Sequence, residues 1–286
     1  MLLILSSATA ARAAYNGTPG EYTPDASTVF LYHLESIAGG TTPDASANNI
    51  TATVNSPGLS LGTGVFGNGV ASVASTPTHG YIGANLNGAQ ASSLDSGFTY
   101  SMWFKSGSNP GLGNTDILGS YYGSDYFYVR AAGYFDPTYA QSITFGFLDS
   151  SATYTETAIS SGFALVFDNQ WHQIGATYDG SSMRLYLDNA LVASGAGPAA
   201  ASVNFGAGTF AAAGNVAYAP DLSAGAYVGS VDEISLNTGA WTDFAPAAVP
   251  EPSSLALVGL GSLLLLGRAC RSKKTEKTIK NSPAQR

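Results

Sequence analysis

The stretch from 171 to 193 limits the fold of this chain more than any other. Apolar and polar residues alternate through 171–178, break at Asp179-Gly180-Ser181-Ser182, resume over 183–187, break at Asp188-Asn189 and resume over 190–193. A period of two puts successive side chains on opposite faces of a strand. Asp-Gly and Asp-Asn supply the positive-φ positions of tight hairpins, so the stretch reads as a three-stranded meander. The pattern recurs at Phe98, Tyr100, Met102 and Phe104, at Ile143, Phe145 and Phe147, and at Phe163, Leu165 and Phe167. With 34 glycines spread through 286 residues, no long helical pattern survives. Short strands in such number bury their apolar faces most economically as two packed antiparallel sheets, an all-β sandwich.

Charge narrows the function classes. Residues 14–249 hold Lys105, Arg130 and Arg184 as their only cations against 17 Asp and Glu, a net of −14 (3 minus 17). Neutralising phosphates needs clustered Lys and Arg, so this segment is not a nucleic-acid binder. A sparse acidic surface suits an exported, salt-exposed protein or a cation binder. The single cysteine, Cys270, excludes an intrachain disulfide and a thiolate zinc site.

Both ends read as addresses. Residues 2–11 are a short apolar stretch, and Ala11-Arg12-Ala13 has the small-x-small spacing of a signal-peptidase site, which makes 1–13 a signal peptide without a basic start. At the other end Val249-Pro250-Glu251-Pro252 precedes an uncharged run over 253–267, followed by Arg268, Arg271 and a basic tail over 268–286. Fifteen residues are short for a permanent span, which wants about 20. The basic tail would stay cytoplasmic and the acidic segment outside. Together these three parts resemble the PEP-CTERM sorting signal. The resemblance implies an exosortase-type sorting enzyme acting near Pro250, Glu251 and Pro252, a transient hold in the inner membrane, and delivery to the cell surface or extracellular matrix. A simple tail anchor is the alternative.

A second resemblance rests on Trp171-His172-Gln173-Ile174-Gly175-Ala176-Thr177-Tyr178-Asp179-Gly180 and Arg184-Leu185-Tyr186-Leu187-Asp188-Asn189, flanked by segments 29–34, 98–104 and 228–236. These resemble the signature strands of LamG-like, concanavalin A-like jelly rolls, with Asn189 where the family usually has glycine, a change that the left-handed preference of Asn allows. The expected organisation is a LamG-like sandwich over 14–237, an Ala/Pro linker over 238–252, a hydrophobic sorting helix over 253–267 and the tail.

The chemistry is sparse. Laminarinase-type hydrolases on this fold use a Glu-x-Asp-x-Glu strand, and no such triplet occurs; Asp232-Glu233 is adjacent, and on a regular strand the two would point to opposite faces. No Gly-x-Ser-x-Gly elbow is present, and His33, His79 and His172 are scattered. His172 is expected to hydrogen-bond within the sheet. The chain is therefore read as non-catalytic. The resemblance implies a structural calcium ion near the terminal strands, with Asp232 in the matching position, Ca²⁺ taking six to eight oxygens; Glu35, just after the first strand, is a weaker second ligand because pairing of the first and last strands would bring the two regions together. Asp116, Asp125 and Asp136 are further loop carboxylates. Of the three tryptophans, Trp103 and Trp171 are expected in the core and Trp241 at the surface, where it could stack on a sugar. The expected function is a matrix module that binds extracellular polysaccharide; a module that recognises a cell-surface protein and, behind it, a divergent glycoside hydrolase are the alternatives.

Overall fold

The computed structural model describes residues 14–15, 21–55, 59–72, 80–107, 115–121, 125–131, 143–149, 154–159, 168–214 and 229–244. They form strands β1 (Ala14–Tyr15), β2 (Tyr22–Thr23), β3 (Thr28–Tyr32), β4 (Thr41–Thr42), β5 (Ala52–Asn55), β6 (Leu59–Thr63), β7 (Asn68–Ser72), β8 (Tyr81–Asn85), β9 (Phe98–Lys105), β10 (Thr115–Tyr121), β11 (Tyr126–Ala131), β12 (Ile143–Leu148), β13 (Tyr154–Ile159), β14 (Trp171–Tyr178), β15 (Ser182–Leu187), β16 (Ala190–Ala196), β17 (Phe210–Gly214) and β18 (Gly229–Thr238). One short helix, α1 (Gly88–Ser92), precedes β9, closed at its start by a capping box between Asn87 and Gln90.

Two eight-stranded antiparallel sheets face each other. Sheet I runs β13-β12-β11-β10-β17-β8-β5-β4, and sheet II runs β16-β15-β14-β9-β18-β7-β6, with β3 also paired to β18. β1 and β2 form a separate small hairpin. This is the expected sandwich of jelly-roll type, and the meander over 171–196 is in it: β14 pairs β15, and β15 pairs β16. Its turns have the predicted backbone, with φ of +88° at Gly180, +49° at Asp188 and +66° at Asn189.

Alternation builds the core between the sheets. Phe98, Tyr100, Met102 and Phe104 of β9 meet Phe127 and Val129 of β11 and Ile143, Phe145 and Phe147 of β12, all fully buried. The rings of Phe98 and Phe127 stack at 4.2 Å, with Phe145, Tyr178 and Phe205 around them. Full burial of each such side chain contributes about 1.5–3 kcal/mol. The block at Phe163, Leu165 and Phe167 lies outside the described residues, as do His79, Asp136, the proposed signal peptide with Ala11 and Ala13, and everything beyond Phe244.

The chain divides into two compact units, Met1–Ala247 and Ala248–Arg286. The first takes in the described residues 238–244, which the sequence reading assigns to the linker. The reason is that Trp241 and Phe244 are apolar and bury themselves against sheet II, 4% and 1% exposed. The second unit, with Pro250, Glu251, Pro252, Arg268 and Arg271, lies outside the described residues. Among those described, no helix is long and apolar enough to cross a membrane.

Candidate functional site

The outer face of sheet II, turned away from the core, carries most of the side chains that the sequence singles out. Its central strand, β18, contains a bulge. Asp232 stands opposite Trp103 and Ser235 opposite Ser101, so Glu233 and Ile234 together face one residue of β9. Glu233 takes the extra position with φ +50°. Val231 and Ile234 remain in the core, and the bulge turns both Asp232 and Glu233 outward. The expectation that these adjacent carboxylates point to opposite faces is thus corrected: alternation fails where one strand carries an extra residue.

Both carboxylates are fully buried and engaged. Asp232 Oδ2 accepts the Val65 and Phe66 N–H groups at 2.8 and 3.0 Å, and Oδ1 accepts its neighbour's N–H at 2.9 Å. A Cβ on Gly64 would come within 2.5 Å of Asp232 Oδ2, so this turn can close on the carboxylate only with glycine there. Glu233 Oε2 accepts the Tyr22 N–H at 3.0 Å and Oε1 meets His33 Nδ1 at 2.6 Å. Glu35 accepts the Asn68 N–H with both oxygens. Burial pushes the Asp232 carboxyl up to about 8 against its N–H bonds, with the Glu233 charge adding to the rise. Burial also raises Glu233, against the pull of His33. For His33 burial works against the cation, but the Glu233 hydrogen bond and charge win and raise it.

This arrangement is a clasp. It ties β18 to the N-terminal segment through Tyr22 and His33 and to the β6–β7 turn through Asp232, while Glu35 ties the segment after β3 to Asn68 at the start of β7. All four oxygens of Asp232 and Glu35 accept N–H groups, a use of these carboxylates that needs no cation. Among the described residues no three His, Cys, Asp or Glu side chains converge as metal ligands.

The tryptophans reverse the expectation. Trp241 is buried in a small outer cluster with Tyr22, Leu31, Tyr186 and Phe244, so its ring is not open to a sugar. The Phe244 ring packs on Gly175, where a Cβ would come within 2.4 Å of it. Asn189 anchors this C-terminal strap by accepting the Phe244 N–H. Trp103 and Trp171, expected in the core, are half-buried on the outer face. Register explains it: Trp171 is opposite Lys105 and Gln173 opposite Trp103, so all four share the face away from Tyr100, Met102 and Phe104. Phe66 stands edge-on to Trp103 at 5.9 Å. Beneath this strip, Trp103 Nε1 and Gln173 Nε2 are buried with no hydrogen-bond partner among the described residues. An unmet buried donor costs about 1–3 kcal/mol. The signal was present in the sequence, since the alternation that turns Met102 and Phe104 inward turns Trp103 and Lys105 outward.

His172 sits at the rim, bonded on both ring nitrogens: Nδ1 to Asp188 at 2.7 Å and Nε2 to Asp168 at 3.2 Å. Partial burial opposes its charge, but the Asp188 and Asp168 carboxylates raise its pKa. With the imidazole between them, the two carboxylates staple the 168–170 segment to the β15–β16 turn, so His172 bonds loop and turn residues at the end of β14 and not other strand residues. Asp125 is buried rather than in an exposed loop and accepts the Asn204 N–H. Asp116 lies in β10, opposite Arg130.

Comparison with known proteins places this geometry. Residues 77–243 match the family model described as the concanavalin A-like lectin/glucanases superfamily, and residues 248–274 match the PEP-CTERM protein-sorting motif. No curated protein matches the chain. Among solved structures, it is similar to the binding domain of Paraclostridial Mosquitocidal Protein 1, at 15% identity and a TM-score of 0.55 over 75% of this chain and 49% of that one. It is also similar to the botulinum neurotoxin serotype D ligand-binding domain in complex with N-acetylneuraminic acid, at 13% identity and a TM-score of 0.53 over 75% and 48%. A third is domain 4 of AbnA, an extracellular GH43 arabinanase of Geobacillus stearothermophilus in complex with arabinotriose, at 15% identity and a TM-score of 0.54 over 77% and 96%. The chain spans about half the length of the toxin domains, and at these identities the likeness is one of fold. With its sandwich matched over more than half its length and its sorting motif in place, the chain belongs to the concanavalin A-like lectin/glucanases superfamily.

Proposed function

We propose that this protein is an exported, surface-sorted module that binds carbohydrate and performs no catalysis. The observation that carries the reading is the state of the Asp232–Glu233 pair. In a retaining or inverting glycosidase two carboxyl groups flank the scissile bond, one of them reaching the leaving oxygen. Here both are enclosed in the sheet and hold backbone N–H groups and a histidine. They bind the termini of the domain together and have no approach to a substrate. The superfamily and the sugar-bound neighbours of the same fold favour a glycan ligand. The sorting motif, which begins four residues after Phe244, favours exosortase-type processing near Pro250 and retention at the surface or in the matrix.

The test is affinity electrophoresis of the full chain through neutral and acidic polysaccharides, paired with a reducing-sugar assay. Retardation by a glycan without release of reducing ends is expected. Release that disappears on heating would return the protein to the hydrolases. A protein ligand is the second reading, favoured by the similar neurotoxin DC binding domain, which was solved with rat synaptotagmin II. Cross-linking to a surface protein without any glycan retardation would select it.

A further inference from the structure

We infer that the glycan-binding site is the strip on the outer face of sheet II that begins at Trp171 and Trp103, and that its ligand is a linear, uncharged polysaccharide. The inference rests on the carbohydrate-binding reading above and names its place. Cross-strand register lays Trp171, Lys105, Ser230, Ala71 and Ser60 side by side on β14, β9, β18, β7 and β6. Four strand spacings make this track roughly 19 Å long. The side chains become small from Ser230 onward, so the track is flat beyond its aromatic end. Ser60 is exposed and Trp171, Lys105, Ser230 and Ala71 are half-buried, so each keeps part of its surface in solvent.

Three features make it a site for sugars. Trp171 and Trp103 stand half-buried on neighbouring strands, Trp103 backed by Phe66 and by the outer cluster around Trp241. An indole face and the apolar face of a sugar ring stack while hydroxyls stay directed to the sides. Trp103 Nε1 and Gln173 Nε2 are enclosed donors left unmet just beneath, and a sugar hydroxyl would be their acceptor once those side chains turn outward to meet it. The track itself carries one charge, Lys105, in a segment whose net charge is −14 (3 minus 17). An acidic polymer would meet like charge around it, whereas an uncharged chain meets none.

The experiment titrates the full chain with cellohexaose, linear β-1,3-glucan, linear arabinan, mannan and polygalacturonate and follows tryptophan emission, the protein having three tryptophans. One neutral glycan is expected to change the emission saturably, and polygalacturonate is not. Trp171→Ala should weaken that binding by about tenfold or more, and Trp171→Phe should recover most of it, because stacking needs a ring and not the indole N–H. Unchanged circular dichroism in both variants keeps the comparison fair, and Ala71→Arg, which leaves both tryptophans in place, should block the track independently. Undiminished binding by Trp171→Ala and Ala71→Arg would move the site elsewhere and leave the carbohydrate reading intact. Equal or tighter binding of polygalacturonate would overturn the uncharged ligand. No binding to any of the five by the wild-type chain would overturn both the carbohydrate reading and this site.

Discussion

Glu233 occupies a backbone conformation that a glutamate rarely adopts, and its side chain holds it there. Tyr22 N–H and His33 both bond its carboxylate in a fully buried setting. Removing that acceptor strands a buried N–H and an imidazole at once, so Glu233→Ala should cost about 2–4 kcal/mol, read as a lower urea midpoint. Glu233→Gly should lose nearly as much, because the relief at φ +50° is small beside the lost acceptor. Asn189 is a gentler case. Its left-handed backbone suits glycine equally well, so Asn189→Gly isolates the side-chain bond to Phe244, at about 1 kcal/mol. Faster hydrogen exchange at the Phe244 amide, with the rest of the sheet unchanged, is the matching local readout. Gly175→Ala should force Phe244 off the sheet, at about 1–3 kcal/mol for overpacking, and expose Trp241 to water with a red shift in its emission.

At the scale of elements, β18 does three separate things. Its core-facing residues complete sheet II, its bulge delivers two carboxylates to the N-terminal segment and the β6–β7 turn, and its C-terminal extension folds back as the strap ending at Phe244. Thr238 N–H donates to Ser27 O at 2.8 Å, which carries the β3–β18 pairing up to the point where the strap begins. The terminal pairing of β3 with β18 was legible in the sequence, as was the β14–β15–β16 meander with its turn residues. The bulge was not, because Val231-Asp232-Glu233-Ile234 contains no glycine or proline to mark an extra residue. It follows from registering β18 against β9, whose partners are 130 residues away. Trp103 is a different kind of miss. Its outward position was implied by the alternation of β9, and reading it as core gave hydrophobicity precedence over period.

For the molecule as a whole, the titrating groups lean one way. His33, His172, Asp232 and Glu233 all hold protons more tightly in the folded protein. The histidines contribute fully below their ordinary 6.5 and lose that contribution as pH rises through their raised values. Asp232 and Glu233, protonated in the fold at pH values where the unfolded chain has released its protons, likewise make stability fall as pH rises, for Asp232 from near 3.8 to about 8. In the other direction, Asp168 is held low first by the Gln170 N–H, and Asp179, despite partial burial, by Arg184 and its serine neighbours, so their contribution is lost below 3.8. The urea midpoint should therefore be higher at pH 5 than at pH 8, and His172→Gln should flatten the profile above 6.5. A midpoint that rises from pH 5 to pH 8 would contradict this assignment. Because the clasp oxygens hold N–H groups, a chelator should leave the melting temperature unchanged; a clear drop would restore calcium to the terminal strands. The sequence by itself determined the class of fold, the hairpin turns and the sorting address, because alternation, positive-φ preferences and an apolar run bounded by charge are properties of adjacent residues. Tertiary structure alone decided which outer-face residues are covered and which are open. Trp241 is hidden and Trp171 only half-buried because Tyr22 and Phe244 arrive over one end of sheet II from distant parts of the chain, and no local pattern records where such segments come to rest.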